Sequence, residues 1–183
     1  MKIISGILKG RKIDGYDIEG TRPTMDRVRE SLFGMIQMNV KDSSVLDLFS
    51  GSGILGFECY SNGAKYVHFN DLNPICIKNI KENISLFNMQ NNAITTTLSY
   101  RKCLSDCLLK KERFDLIFLD PPYHLECFQE IINFIEENNL LKEDGMIIFE
   151  YDHEYNWSCS YSLYRKKKYG NKYIEIYQNK SLK

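Results

Sequence analysis

The apolar positions of this 183-residue chain change their period several times, and each change marks an element. Val45-Leu46-Asp47-Leu48-Phe49 is a nearly continuous apolar run of strand length, and residues 66–70, 93–98, 115–119 and 146–150 read the same way. Between these runs the spacing lengthens to three and four. Ile77, Ile80, Ile84 and Phe87 stripe one helix, which Asn73 caps and Pro74 opens. Tyr100, Cys103, Leu104 and Cys107 mark another, and Phe128, Ile131, Ile132 and Ile135 a third. A helix over 53–61 follows the first strand, and one over 24–38 precedes it, with Val28, Leu32 and Met35 or Ile36 on a single face.

The two ends depart from this alternation. Residues 161–167 and 173–177 flank Tyr169-Gly170-Asn171-Lys172 and predict a hairpin. Short β-like runs around Gly6, Gly10, Gly15 and Gly20 predict a smaller one at the start. Strands alternating with helices and closing on a hairpin give an α/β fold: a doubly wound, mainly parallel seven-stranded sheet with an antiparallel C-terminal edge. No repeat or Pro/Gly-rich linker divides the chain. It reads as one domain over 1–183, with an N-terminal extension over 1–40 expected to face RNA and a core over 41–183.

Charge adds little to this picture. The 24 basic and 24 acidic residues cancel, so any nucleic-acid binding must come from local patches. The six cysteines form no C-x-x-C pair and read as reduced packing residues; His68, His124 and His153 show no metal or triad spacing, and no metal is expected. The start lacks the apolar core of a signal peptide and no stretch is long enough to span a membrane, which predicts a cytoplasmic protein.

Chemistry concentrates at the ends of two of the predicted strands. After the first comes Gly51-Ser52-Gly53-Ile54-Leu55-Gly56, a G-x-G-x-x-G turn that would cradle a cofactor. Asp71 lies 24 residues beyond Asp47 at the end of the next strand, where an acid can hold ribose hydroxyls. Taken literally, the glycines spell a dinucleotide fingerprint, so a nicotinamide-dependent dehydrogenase is one reading. Asp47 favours another: a carboxylate beside the glycine turn repels a pyrophosphate but suits the cationic amino group of S-adenosylmethionine.

The second strand ends in Asp120-Pro121-Pro122-Tyr123. An exocyclic amine conjugated to a ring is a poor nucleophile because its lone pair is delocalised. A carboxylate and a backbone carbonyl on a rigid loop can accept its two hydrogens and favour a pyramidal nitrogen. Prolines hold such a loop, and Tyr123 can stack on the base, worth about 1–3 kcal/mol in comparable sites. In a doubly wound sheet the two strands meet at the switch point, so both motifs face one crevice.

At this level the chain resembles the class I methyltransferases and, more narrowly, the RsmD family of bacterial enzymes that methylate N2 of a guanine in 16S ribosomal RNA. The resemblance runs from about Ile3 to Gln178. It rests on Ser5-Gly6-Ile7-Leu8-Lys9-Gly10-Arg11, on the Gly-rich and Asp-Pro-Pro-Tyr motifs and on Tyr169-Gly170-Asn171. Most specific is Arg22-Pro23-Thr24-Met25-Asp26-Arg27-Val28-Arg29-Glu30-Ser31-Leu32-Phe33.

The resemblance implies that Asp47, Gly51 and Gly53 hold the methionine part of S-adenosylmethionine and Asp71 its ribose, with Phe49 and Leu72 completing the wall. Asp120, Pro121, Pro122 and Tyr123 would hold the guanine amine. Arg11, Arg22, Arg27 and Arg29 are the candidate RNA contacts; the alternative is that they are solvated helix charges. Where the family places an acid against the adenine amino group, this chain carries Ser99. The run Arg165-Lys166-Lys167-Lys168 reads as a solvated hairpin face, with an RNA contact as the alternative.

The expected partner is 16S ribosomal RNA within the small subunit or an assembly intermediate, met by a monomer. The rival readings are an adenine-N6 methyltransferase on DNA or RNA, which shares the Asp-Pro-Pro-Tyr motif, and a catalytically silent RNA-binding or ribosome-assembly protein. A protein-glutamine methyltransferase more often carries Asn at the position of Asp120.

Overall fold

The computed structural model describes residues 1–13, 23–122, 127–152 and 157–180, with the side chains of residues 23–25 left aside. Helix α1 (Pro23–Val40) leads into β1 (Ser44–Asp47), and the chain then alternates α2 (Ile54–Ser61), β2 (Tyr66–Asn70), α3 (Pro74–Leu86), β3 (Ala93–Thr96), α4 (Tyr100–Leu109), β4 (Phe114–Leu119), α5 (Phe128–Glu137) and β5 (Leu141–Tyr151). The hairpin β6 (Ser162–Tyr169) and β7 (Lys172–Gln178) ends it. The seven strands lie in the order β3-β2-β1-β4-β5-β7-β6, parallel from β3 to β5 and antiparallel beyond. The doubly wound sheet with an antiparallel edge is therefore as expected.

Strand parity divides the core. Val45, Val67, Phe69, Leu116, Phe118 and Ile148 pack with α1, α2 and α3 on one face. Leu46, Leu48, Ile117, Leu119, Ile147 and Phe149 pack with α4 and α5 on the other. Central strands covered on both faces read as unbroken apolar runs, which is why the sequence marks them clearly. Asn73 caps α3 as anticipated, its side chain accepting from Ile75 N at 2.9 Å.

Three boundaries differ from expectation. At the N-terminus the described residues hold one isolated bridge, Lys2 to Lys12, rather than a hairpin, and Gly15 and Gly20 lie outside them. The β3 strand stops at Thr96, because the carbonyl and amide of Leu98 go to the Asn70 side chain instead of a ladder. The turn expected at Asp144-Gly145 lies inside β5: Asp144 takes a left-handed φ of 58° and the register against β4 shifts there, as a bulge does.

Candidate active site

Strand order reverses between β1 and β4, so a crevice opens there at the carboxyl ends of the strands. Register sets what faces it. Asp47 pairs with Phe69 and with Phe118, and Leu119 pairs with Phe149. Asp71 and Asp120 thus follow two residues beyond the partners of Asp47, and Glu150 stands beside Asp120. Alternation places all four carboxylates on the α1–α3 side, at the ends of four adjacent strands.

The glycine turn is built by backbone geometry. Gly51 and Gly53 take φ of 52° and 77°, which side-chain-bearing residues adopt at a cost. Gly56 has a different reason: a Cβ there would stand 2.2 Å from the Phe69 ring, so its absence lets α2 lie directly on β2. Asp71 Oδ2 accepts from Gly51 N and its Oδ1 from Asn73 N, both at 2.8 Å, tying the end of β2 to the turn. Asn70 braces the same region, its amide donating to the carbonyls of Leu48 and Leu98, each at 3.0 Å.

Within this frame Asp47 is 2% exposed, and its Oδ2 has no hydrogen-bond partner among the described residues. Burial, with repulsion from Asp71, raises its pKa to about 7 against the pull of the Gly56 amide and the Ser50 hydroxyl. A buried polar atom without a partner costs free energy, so the arrangement is complete only with a donor in the crevice. Asp120 keeps part of its surface open. Burial of its carboxyl, then repulsion from Glu150 and from Asp47, raises its pKa, while Lys172 opposes the rise. Lys172 is ion-paired with Glu150, and Asp120, Glu150, Leu32 and Leu55 line a common cavity. Four acids facing one lysine make the crevice a receptor for cations.

The remaining predicted residues divide. Phe49 is half-buried against Tyr100, the ring centroids 6.0 Å apart, and Leu72 is 70% exposed beside Asp71. Pro121 is buried and Pro122 exposed, and Tyr123 lies outside the described residues, as do Arg22, His124 and His153. Ser99 caps α4, its Oγ accepting from Lys102 N at 3.4 Å.

The arginines scatter, and one of the four readings needs correction. Arg29 is 5% exposed: Nε donates to Glu58 at 3.0 Å, and Nη2 to the Lys2 carbonyl at 2.7 Å and to Asp26 at 3.0 Å. It fastens the N-terminal segment to α1 and α2 and has no surface to offer a phosphate. Arg11 lies over the Phe87 ring, 5.3 Å from its centroid, just past the end of α3 and so at the edge of the sheet opposite the crevice. The part of the extension around Arg11 is thus not beside the crevice. Arg27 is exposed in the first turns of α1, at the crevice end.

Three functional groups escaped the sequence. Glu150 ends an apolar strand as Asp120 does, but only the pairing of β4 with β5 sets the two side by side. Lys172 reaches the crevice only because the hairpin folds back along β5. Glu58, 0% exposed, is an acid on a helix too short to show a face.

Comparison with known proteins fits this geometry. The model of a family described as conserved hypothetical protein 95 matches residues 1–178. The putative rRNA methyltransferase YlbH of Bacillus subtilis is 33% identical over 98% of this chain and 100% of its own. The ribosomal RNA small subunit methyltransferase D of Buchnera aphidicola is 36% identical, over 90% of this chain and 86% of its own. A solved structure of the putative methyltransferase yhhF from Escherichia coli is 30% identical and superposes with a TM-score of 0.84 over 99% of this chain and 98% of that one. Matched by the family model over residues 1–178 and sharing fold and length with these relatives, the chain belongs to the RsmD family of methyltransferases.

Proposed function

We propose that this protein transfers a methyl group from S-adenosylmethionine to the exocyclic N2 amine of a guanine in 16S ribosomal RNA. The observation that carries the reading is the unpaired, buried oxygen of Asp47 at the centre of a carboxylate-lined crevice. It suits the ammonium of the cofactor's methionine part. A pyrophosphate would meet repulsion from Asp47, Asp71, Asp120 and Glu150 together, which disfavours the dinucleotide reading. The cofactor, when bound, supplies a methyl group on a positively charged sulfur.

The residues of the chain do the rest. Asp47 anchors the amino group, the glycine turn lets the backbone come close, and the open edge of Asp71 and the face of Leu72 are left for the nucleoside part. Ser99, already capping α4, keeps a lone pair for the adenine amine. Asp120 and a proline carbonyl accept the two hydrogens of the target amine. Burial and Glu150 raise the Asp120 pKa to about 8, so its ionised form, which Lys172 favours, is a stronger acceptor for the proton that the nitrogen loses. The guanine must leave its stack to reach this loop, at a cost of a few kcal/mol.

The RNA would approach across the N-terminal end of α1, where Arg27 is exposed. Lys167 bonds Ser31 of α1 at 3.3 Å, which brings the basic strand β6 to the same side. The test is methyl transfer from labelled S-adenosylmethionine to unmodified small-subunit particles and to naked ribosomal RNA, followed by nucleoside digestion and mass spectrometry. Label in N2-methylguanosine is the expected result, and Asp120→Ala should abolish it. Label in N6-methyladenosine would overturn the guanine reading, as would wild-type rates in Asp120→Ala.

A further inference from the structure

A polar cluster outside the crevice lies on the opposite face of the sheet. His68 of β2 is wholly buried beneath α4, where it meets Cys103 and Cys107, one helical turn apart and both 0% exposed. Glu112, from the turn after α4, closes the group. His68 Nδ1 is 3.1 Å from Glu112 Oε2 and 3.7 Å from Cys107 Sγ, and the donor atoms of His68, Cys103 and Cys107 all lie within 4.8 Å of one another.

The orientation of the ring is fixed from behind. His68 Nε2 is 2.9 Å from Thr96 Oγ1, and Thr96 donates its hydroxyl proton to Asn70 Oδ1 at 2.8 Å. The hydroxyl can therefore only accept from Nε2–H. That leaves Nδ1 turned toward the two sulfurs and the carboxylate, as outer hydrogen bonds orient a metal-binding histidine.

We propose that His68 Nδ1, Cys103, Cys107 and Glu112 form a structural zinc site. Two sulfurs, one nitrogen and one oxygen are a donor set that zinc accepts. With usual zinc–ligand bond lengths, a tetrahedral site spaces nitrogen from oxygen by about 3.4 Å and sulfur from nitrogen by about 3.6 Å. The 3.1 and 3.7 Å separations at Nδ1 stand close to those values, and the His68, Cys103 and Cys107 donors are already within 4.8 Å of one another; Glu112, outside that group of three, must swing toward the sulfurs to complete the set. Both cysteines bind as thiolates, and the proton that joins Nδ1 to Glu112 in the empty site must go as well, so three protons leave to solvent on loading. The Glu112 side chain is 18% exposed, which puts the site one side chain away from solvent and gives the ion a route in.

Four protein donors leave no open position, so the role is structural rather than catalytic. The ion would fasten α4 to β2. Through Thr96 and Asn70 it would also stiffen the carbonyls of Leu48 and Leu98, which border the cofactor turn. Sequence spacing does not display the site, because its ligands come from a strand, a helix and the turn after it.

The experiment is a titration of cobalt(II), then zinc, into the full-length protein after treatment with a chelator. The expected result is one equivalent of cobalt with intense tetrahedral d–d bands and a thiolate charge-transfer band, displaced by one equivalent of zinc, and a rise in Tm with zinc. Cys103→Ser/Cys107→Ser should lose the charge-transfer band, and Cys159→Ser should keep it. Glu112→Gln, at a partly exposed position, should weaken zinc binding at least about tenfold with the far-ultraviolet dichroism unchanged. Wild-type protein that gives no stoichiometric thiolate band would overturn the proposal whether or not the serine variants fold. A band that survives in a folded double variant would overturn it equally.

Discussion

Two buried carboxylates, Asp47 at the end of β1 and Glu58 on α2, meet the same problem and resolve it differently. Glu58 is fully enclosed, yet its Oε1 accepts from Ile4 N at 2.8 Å and from Arg29 at 3.0 Å, while Oε2 takes the Ser5 hydroxyl at 3.4 Å. Burial raises its pKa, and the Ile4 amide and the guanidinium oppose the rise. Asp47 is as deeply buried, and one of its oxygens has no partner among the described residues. The first acid is satisfied by the chain itself and holds three segments together. The second stays incomplete, so a ligand gains what the fold forgoes.

Breaking the satisfied pair should give the largest effect. Arg29→Ala leaves Glu58 charged, buried and short of its cation, and should lower the unfolding free energy by about 3–5 kcal/mol. Denaturant titration measures this. Cofactor affinity of the protein that remains folded should stay near wild type, because Arg29 faces Glu58 rather than the crevice. A loss below about 1 kcal/mol would mean that the pair adds little to holding the segments together.

Asp47→Asn should move the two quantities in opposite directions. Removing the charge should weaken S-adenosylmethionine binding by about 2–3 kcal/mol, or roughly 30- to 150-fold, in calorimetry. The same change should raise stability above pH 7 by about 1–2 kcal/mol, part of the cost of holding a carboxylate whose pKa is raised to about 7. A variant that is weaker in both respects would show that Asp47 serves the fold, as Glu58 does.

Acidity sharpens the contrast further. The folded pKa of Asp47 lies above the ordinary aspartate value of 3.8, so the folded state holds the proton more tightly than the unfolded chain. Its contribution to stability is therefore greatest below about pH 4 and declines by up to about 1.4 kcal/mol per pH unit as pH rises to about 7. Cofactor affinity should run the other way, rising up to about tenfold per unit toward pH 7 and then levelling, because only the carboxylate pairs with the ammonium. The difference between wild type and Asp47→Asn in both profiles isolates this residue from Asp120. Parallel profiles would remove Asp47 from the binding step.

What the sequence disclosed follows the same division. The apolar runs 66–70 and 115–119 located their strands to within a residue because central parallel strands are covered on both faces. Asp47, Gly51, Gly53 and Asp120 were legible because strand, turn and acid are contiguous in the chain. Glu150 and Lys172 were not, because their nearness to Asp120 arises from strand order and hairpin return. Arg29 was misread for a related reason. An arginine between Val28 and Glu30 in a charged stretch of helix looks solvated, and only the docking of α2 brings Glu58 against it.

That misreading gives the smallest prediction, on two arginines two residues apart on α1 and so on different sides of it. Arg27 is exposed near the crevice, whereas Arg29 is spent inside. If Arg27 contacts an RNA phosphate, Arg27→Ala should weaken RNA binding about three- to tenfold. It should also reduce the slope of log affinity against log salt by about 0.7–0.9, the release of one condensed counterion. Stability and cofactor affinity should not move, which separates this outcome from damage of the Arg29 kind. An unchanged salt slope would leave Arg27 a solvated helix charge and shift the search for phosphate contacts to Arg165, Lys167 and Lys168 on β6. Lys167 already reaches Ser31 on the same helix, so the two candidate surfaces adjoin, and the salt slope of Lys168→Ala would decide between them.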